Sequence, residues 1–173
     1  EEAIVKKRIA ACHVHSEWSY DAAWTLPDLA DEFAKRGCDL ILMTEHDHGW
    51  DADRWSRYQA ACEEASNEAI QVVPGIEYSD PTNTIHILVW GADGFFGEGL
   101  ETEDLLGRVK SSGAIAVFAH PERKNAWQRF DPEWCDALLG VEIWNRKTDG
   151  WAASSRGIDI WKSHSLSPFA GLD

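Results

Sequence analysis

Short apolar runs alternate with helical patterns along this chain, and run after run ends on a histidine, carboxylate or amide. Arg8–His15 reads as a strand. Thr25 then precedes Leu26-Pro27, a cap-then-proline start to a helix that runs to Arg36 and closes at Gly37. Asp39–His46 is a second strand, and residues 53–67 repeat apolar side chains at helical spacing. Ala69–Tyr78 and Thr84–Trp90 follow as strands, the first carrying Pro74-Gly75. Thr102 opens a helix that ends near Gly113, before the strand Ala114–His120. A short helix over 132–139, the strand Val141–Asn145, a helix over 154–165 and the strand Pro168–Asp173 complete the series.

Strands followed by helices predict a mostly parallel sheet joined by crossover helices. Seven strands at this spacing fit an open doubly wound sheet or a closed, irregular α/β barrel. The polar residues choose between them. His13, His15, His46, Glu77, His120, Asn145 and Asp173 all fall at or near the C-terminal ends of predicted strands. A β/α barrel gathers its chemistry at those ends of many strands, whereas an open sheet concentrates it at one switch point. The expectation is a distorted seven-stranded, TIM-like β/α barrel.

Composition narrows the function. At 173 residues the chain fits one domain over 1–173. It carries 16 Lys+Arg against 30 Asp+Glu, a net charge of -14. Neither sequence-independent nucleic-acid binding nor attachment to an anionic membrane is expected of so acidic a chain. No apolar run approaches the ~20 residues that span a bilayer. Cys12, Cys38, Cys62 and Cys135 are widely spaced, with no C-x-x-C pair, and read as free thiols. A start without a signal-like segment makes a reduced, cytoplasmic setting the default. The chain begins at Glu1 and stops at Asp173 after an apolar stretch. Both ends are expected to be cut from something longer.

The chemistry-bearing pieces are His13-Val14-His15, Asp21, Thr44-Glu45-His46, Gly75-Ile76-Glu77, His86, His120-Pro121 and Gly171-Leu172-Asp173. On a regular strand residues i and i+2 share a face, so His13 and His15 can meet one metal ion. A carboxylate at Glu77 can bridge two ions through its two oxygens. Six of the seven histidines lie in or beside the same strand ends.

In their order and spacing these pieces resemble the PHP family, named for polymerase and histidinol phosphatase. The resemblance covers essentially the whole chain. It implies a trinuclear site binding up to three divalent ions (zinc, manganese, iron or magnesium). His13, His15, Glu77 and Asp173 would hold the first ion. Glu77 would bridge to a second, completed by His86 and His120. Asp21 and His46 would hold the third, Asp21 standing where many members have histidine. The family places another histidine two positions beyond Asp173, so the third ion is expected to be weakly held. Glu45 replaces the family's usual aspartate and is expected to orient an imidazole. Glu142 is given no ligand role, and His48 and His164 fall off the pattern.

Such a centre turns water into a metal-bound hydroxide near neutral pH and neutralises phosphoryl oxygens. No protein nucleophile is needed, and Ser16, Ser19 and Ser79 lack a base partner. The expected activity is a metal-dependent phosphoesterase acting on a small phosphorylated metabolite, a phosphomonoester first. The alternatives are an amidohydrolase-like C–N hydrolase and a metal-binding module without turnover. Arg123 and Arg146, with Lys124 and Lys147 beside them, are the cations placed to grip phosphate. Asn145 is placed to touch ligand or brace its loop. Of the ten tryptophans, Trp18, Trp24, Trp50, Trp127 and Trp151 fall near loops at the mouth, as a stacking wall or as rim cover. The oligomeric state is not legible.

Overall fold

The computed structural model describes residues 7–173. Its strands are β1 (Ala10–Val14), β2 (Leu40–Met43), β3 (Glu45–His46), β4 (Gln71–Val73), β5 (Gly75–Ser79), β6 (His86–Trp90), β7 (Ile115–Phe118), β8 (Leu138–Asn145) and β9 (Ser167–Gly171). Its helices are α1 (Leu26–Lys35), α2 (Ala52–Ala65), α3 (Thr102–Ser112), α4 (Arg146–Asp149) and α5 (Ser155–Ser163). Two 3-10 segments, Arg123–Arg129 and Pro132–Asp136, lie between β7 and β8. Thr25 caps α1 as its sequence suggests, its hydroxyl accepting from the Asp28 amide. Gly113 closes α3 in the left-handed conformation.

The fold is mixed α/β. The ladders form a three-stranded sheet in the order β1-β2-β4 and a six-stranded sheet in the order β3-β5-β6-β7-β8-β9. No ladder closes either sheet among the described residues. Two predicted strands are each divided between the sheets. Asp39–His46 breaks at Thr44, whose amide donates to the Val14 carbonyl at 2.9 Å. Ala69–Tyr78 breaks at Pro74, which has no N–H for a ladder. Gly75 is needed just beyond, because a Cβ there would run into the Met43 carbonyl and the Trp90 indole.

The sheets are mostly parallel, with one exception. β6 runs antiparallel to both β5 and β7. The turn from Ser79 to His86 is too short for a crossover, which takes a dozen residues or more. Ser79 therefore pairs with His86, and the first residue of β6 sits at the same end as the last of its neighbours. A chain segment beyond β9 also bonds back to β1. Leu172 N donates to Cys12 O at 3.0 Å, and Asp173 N to His13 O at 2.7 Å.

One large apolar cluster lies between strands and helices, with Tyr58, Ile41, Met43 and Phe118 fully buried. A second gathers Leu88, Trp90, Val117 and Ala119 with Leu42, Val73 and Phe169, from strands of both sheets. All four cysteines are free thiols. No helix among the described residues is long and apolar enough to cross a membrane.

Candidate metal centre

The site is built around Glu77 on β5, whose side chain is buried with five imidazoles facing its two oxygens. Oε1 meets His86 Nδ1 at 2.6 Å and His120 Nε2 at 2.9 Å. Oε2 faces His46 Nδ1 at 3.2 Å, His15 Nε2 at 3.4 Å and His13 Nε2 at 3.5 Å. Asp173 stands beyond, 3.8 Å from His15 Nε2 and 3.9 Å from His13 Nε2. Asp21 Oδ2 lies 3.2 Å from His46 Nε2. All eight predicted ligand residues are thus brought together. His86 joins although it begins its strand, because β6 is antiparallel.

Local backbone departs from regular geometry where the ligands sit. His13 occupies a bulge in the β1–β2 register, with φ of 57°. The simple alternation expected for His13-x-His15 therefore does not hold: His13 is the extra residue and His15 lies past the strand end. His120 and Asp173 also take positive φ, 26° and 46°. Such values are costly for residues with a Cβ and persist where the surroundings over-determine them.

Charge follows from burial and neighbours. Burial works against a charged His13, but Glu142 and Glu77 outweigh it and hold the imidazole well above its ordinary value. His15, where burial dominates and His13 and His46 add repulsion, is pushed down to about 4. Burial would raise Glu77, yet the imidazoles around it, His13 foremost, hold it well below the carboxylate range. The nitrogens His13 Nε2, His15 Nε2 and His120 Nδ1 are buried without a hydrogen-bond partner. An unpaired buried polar atom costs about 1–3 kcal/mol, and a divalent cation would satisfy it. The donor set is therefore fitted to metal. Ligand atoms fall into three sets with members within 4.8 Å: His13, Glu77 and His120; His13, His15 and Asp173; His15, Asp21 and His46. This grouping differs from the expected one. Glu77 stands with His13 and His120 rather than with His15 and Asp173, His15 also joins the outer pair, and His86 reaches Glu77 without belonging to a set.

A cavity of about 590 Å3 opens over the centre, lined in part by Tyr20, Asp47, Asn83, Arg123, Lys147 and Thr148. Arg123 stands on the wall of this cavity. Its guanidinium donates to Asn83 O at 3.0 Å and Asn83 Oδ1 at 3.1 Å, and lies 3.1 Å from His86 Nε2. Lys124 also donates to Asn83 O. Arg146 is exposed and does not line the cavity, because Asn145 caps α4 and turns the next residue, Lys147, toward the acids. Lys147 Nζ lies 3.2 Å from Asp173 Oδ1. None of the tryptophans lines this cavity. Trp18 and Trp50 pack on Tyr58, and Trp24 and Trp151 are exposed. The aromatic at the mouth is Tyr20, stacked on His46 with ring centroids 4.9 Å apart.

Several supporting residues were not given these partners from sequence. Glu142, a lone carboxylate in the apolar run of β8, accepts from His13 Nδ1 at 2.7 Å, from His120 N at 2.7 Å and from Asn145 Nδ2 at 3.1 Å. It also explains Gly171, where a Cβ would collide with its carboxylate. Asn145 braces rather than opens the site, donating to Asp173 Oδ2 at 3.1 Å as well. Glu45 touches no imidazole. It accepts from Ser16 N, Ser16 Oγ and Ser19 Oγ, and Ser19 Oγ in turn meets His15 Nδ1 at 3.4 Å. Both serines are thereby structural donors. His48 pairs with Glu98 at the rim, and His164 packs on Phe130.

Residues 11–96 match the model of the PHP domain family. Over those residues the chain is a PHP domain match. Its fold recurs in solved structures of low identity. A proposed metal-dependent phosphoesterase from Bifidobacterium adolescentis superposes with a TM-score of 0.68 at 16% identity, over 96% of this chain and 87% of the other. A two-domain protein from Bacteroides vulgatus, containing a proposed PHP-like metal-dependent phosphoesterase, gives 0.66 at 18%, over 92% and 49%. An amidohydrolase from Chromobacterium violaceum with bound sulfate gives 0.67 at 17%, over 95% and 86%. At such identities the likeness is one of fold. No curated protein matches the sequence of this chain.

Proposed function

We propose that this chain is a metal-dependent phosphoesterase that hydrolyses a small phosphorylated metabolite. The observation that carries the reading is the Glu77 carboxylate facing five imidazoles, with three buried ring nitrogens unpartnered. His13, His15, Asp21, His46, Glu77, His86, His120 and Asp173 are the residues that would hold the ions. When bound, divalent ions make water a nucleophile near neutral pH and offset charge on phosphoryl oxygens.

The chain's own side chains do the rest. Glu142 fixes the His13 ring so that Nδ1 faces the carboxylate and Nε2 faces the centre. Arg123 presents a guanidinium at the cavity wall, where its fork suits a phosphoryl group. Tyr20 and Thr148 border the remaining volume, which suits a metabolite rather than a polymer. The net charge of -14 supports the same choice. We also read the two sheets as one distorted seven-stranded barrel, with β2–β3 and β4–β5 as broken strands. The bonds from Leu172 and Asp173 to β1, and the apolar cluster drawn from both sheets, support it.

The test is a phosphate-release screen over a panel of phosphorylated metabolites, on chelated protein reloaded with manganese, zinc or iron in turn. Release that requires metal and falls in Arg123→Ala supports the reading. C–N hydrolysis without phosphate release would favour the amidohydrolase alternative, and metal uptake with no turnover would favour an accessory module.

A further inference from the structure

We infer that the ammonium of Lys147 is a tethered cation at the outermost ion position, so that the chain fills that position itself and takes divalent ions at the inner two. The inference rests on the metal-centre reading and deepens it. The outer set is Asp21 and His46, with His15. Asp21 Oδ2, which faces His46 Nε2, also lies 3.9 Å from Lys147 Nζ. On its other side Lys147 Nζ lies 3.2 Å from Asp173 Oδ1. The ammonium thus spans the gap between the outer acid and the acid of the neighbouring set.

Its position is built. Asn145 Oδ1 accepts from the Lys147 amide at 3.1 Å, and Asn145 Nδ2 holds Asp173 Oδ2 at 3.1 Å. One buried side chain therefore places both the acid and the start of the lysine that answers it. The neighbouring Arg146 has no such arrangement: it forms no ion pair among the described residues. Lys147 also lines both cavities that flank this acid pair. Two carboxylates converging on a half-buried site repel each other unless a cation stands between them, and a compact ammonium meets that need. A divalent ion on Asp21 would have to displace it or bear its repulsion.

The experiment is calorimetric titration of Mn2+ into the chelated chain, with elemental analysis of the loaded protein. Wild type and Lys147→Arg should take about two ions per chain, and Lys147→Met should take a third, bound at least about tenfold more tightly than in wild type. The side chain is exposed enough that folding should survive, and Lys147→Gln is the second variant. Thermal unfolding checks both. Unchanged number and affinity in Lys147→Met, or three ions held equally tightly by wild type, would overturn the inference and leave the metal centre standing. Unchanged Mn2+ binding with weakened binding of inorganic phosphate would assign the ammonium to substrate instead, and overturn it too. No Mn2+ in any of these folded proteins would remove the centre and the inference together.

Discussion

The inner and outer halves of the ligand row are made differently. His13, Glu77 and His120 are buried almost completely, on or beside strands, and Glu142 ties His13's ring to His120's backbone. Asp21 and His46 lie farther out. Asp21 comes from a loop with its side chain about one-third exposed, 34%, and His46, although it reaches Glu77 Oε2 at 3.2 Å, ends the two-residue strand β3 and is otherwise held by the Ser19 hydroxyl on its amide and Tyr20 stacked on its ring. A ladder and a shared buried carboxylate place ligands more rigidly than loop contacts do. The inner ions should therefore bind first and carry most of the chemistry, and the outer position should be adjustable.

The largest effect should come from Glu77→Gln. A neutral amide cannot bridge two cations, and losing metal assistance worth several kcal/mol should cut turnover by about 10³-fold or more. The check is phosphate release alongside elemental analysis. Retention of both inner ions by the variant would break the inner half of the comparison. Glu142→Gln should come next. Only one of its oxygens remains an acceptor, so metal affinity at the inner positions should fall by about 10–100-fold. Calorimetry on the folded variant reads this, and an unchanged affinity would reduce Glu142 to a packing residue.

The rim contains one strongly made joint, and it sharpens the contrast. Asp80 accepts from Thr82 Oγ1, from the amides of Thr84 and Ile85 and from Arg129. Burial opposes its charge, but these donors together hold its carboxyl down to about 2, from an ordinary 3.8. Its contribution is complete above the ordinary value and fades as pH falls toward 2. Asp80→Asn should lower stability by about 2 kcal/mol at neutral pH, and the difference from wild type should shrink in acid. Denaturant unfolding at several pH values checks the trend. A gap that stayed constant into strong acid would contradict the assignment. Asp21→Ala should have the smallest effect, losing chiefly the exposed Asp21–Lys147 pair, worth about 1 kcal/mol or less, with calorimetric affinity for the inner ions unchanged. Equal loss at all positions would mean that the halves are not separable.

Much of this was legible from residue order. The strand ends singled out His13, His15, His46, Glu77, His120 and Asp173, because ligand type and strand polarity are local properties, whereas Asp21 and His86 took their ligand roles only from the family resemblance. What escaped depended on pairing between distant strands. The bulge at His13 arises from the β1–β2 register. The recruitment of His86 follows from an antiparallel strand in a mostly parallel series. Glu142 reaches His13 across 129 positions, and its one visible sign was a lone charge in an apolar strand. Arg146 was chosen over Lys147 on fork geometry, but the Asn145 cap decides which of the two side chains meets the acids.

The most direct test is the divalent metal content of the folded chain, purified without added metal and measured beside Glu77→Gln. The account predicts about two tightly held ions in the wild type and fewer than about one in the variant. A correctly folded wild type holding less than about one ion per chain, even after incubation with manganese, zinc or iron, would contradict a metal centre at Glu77.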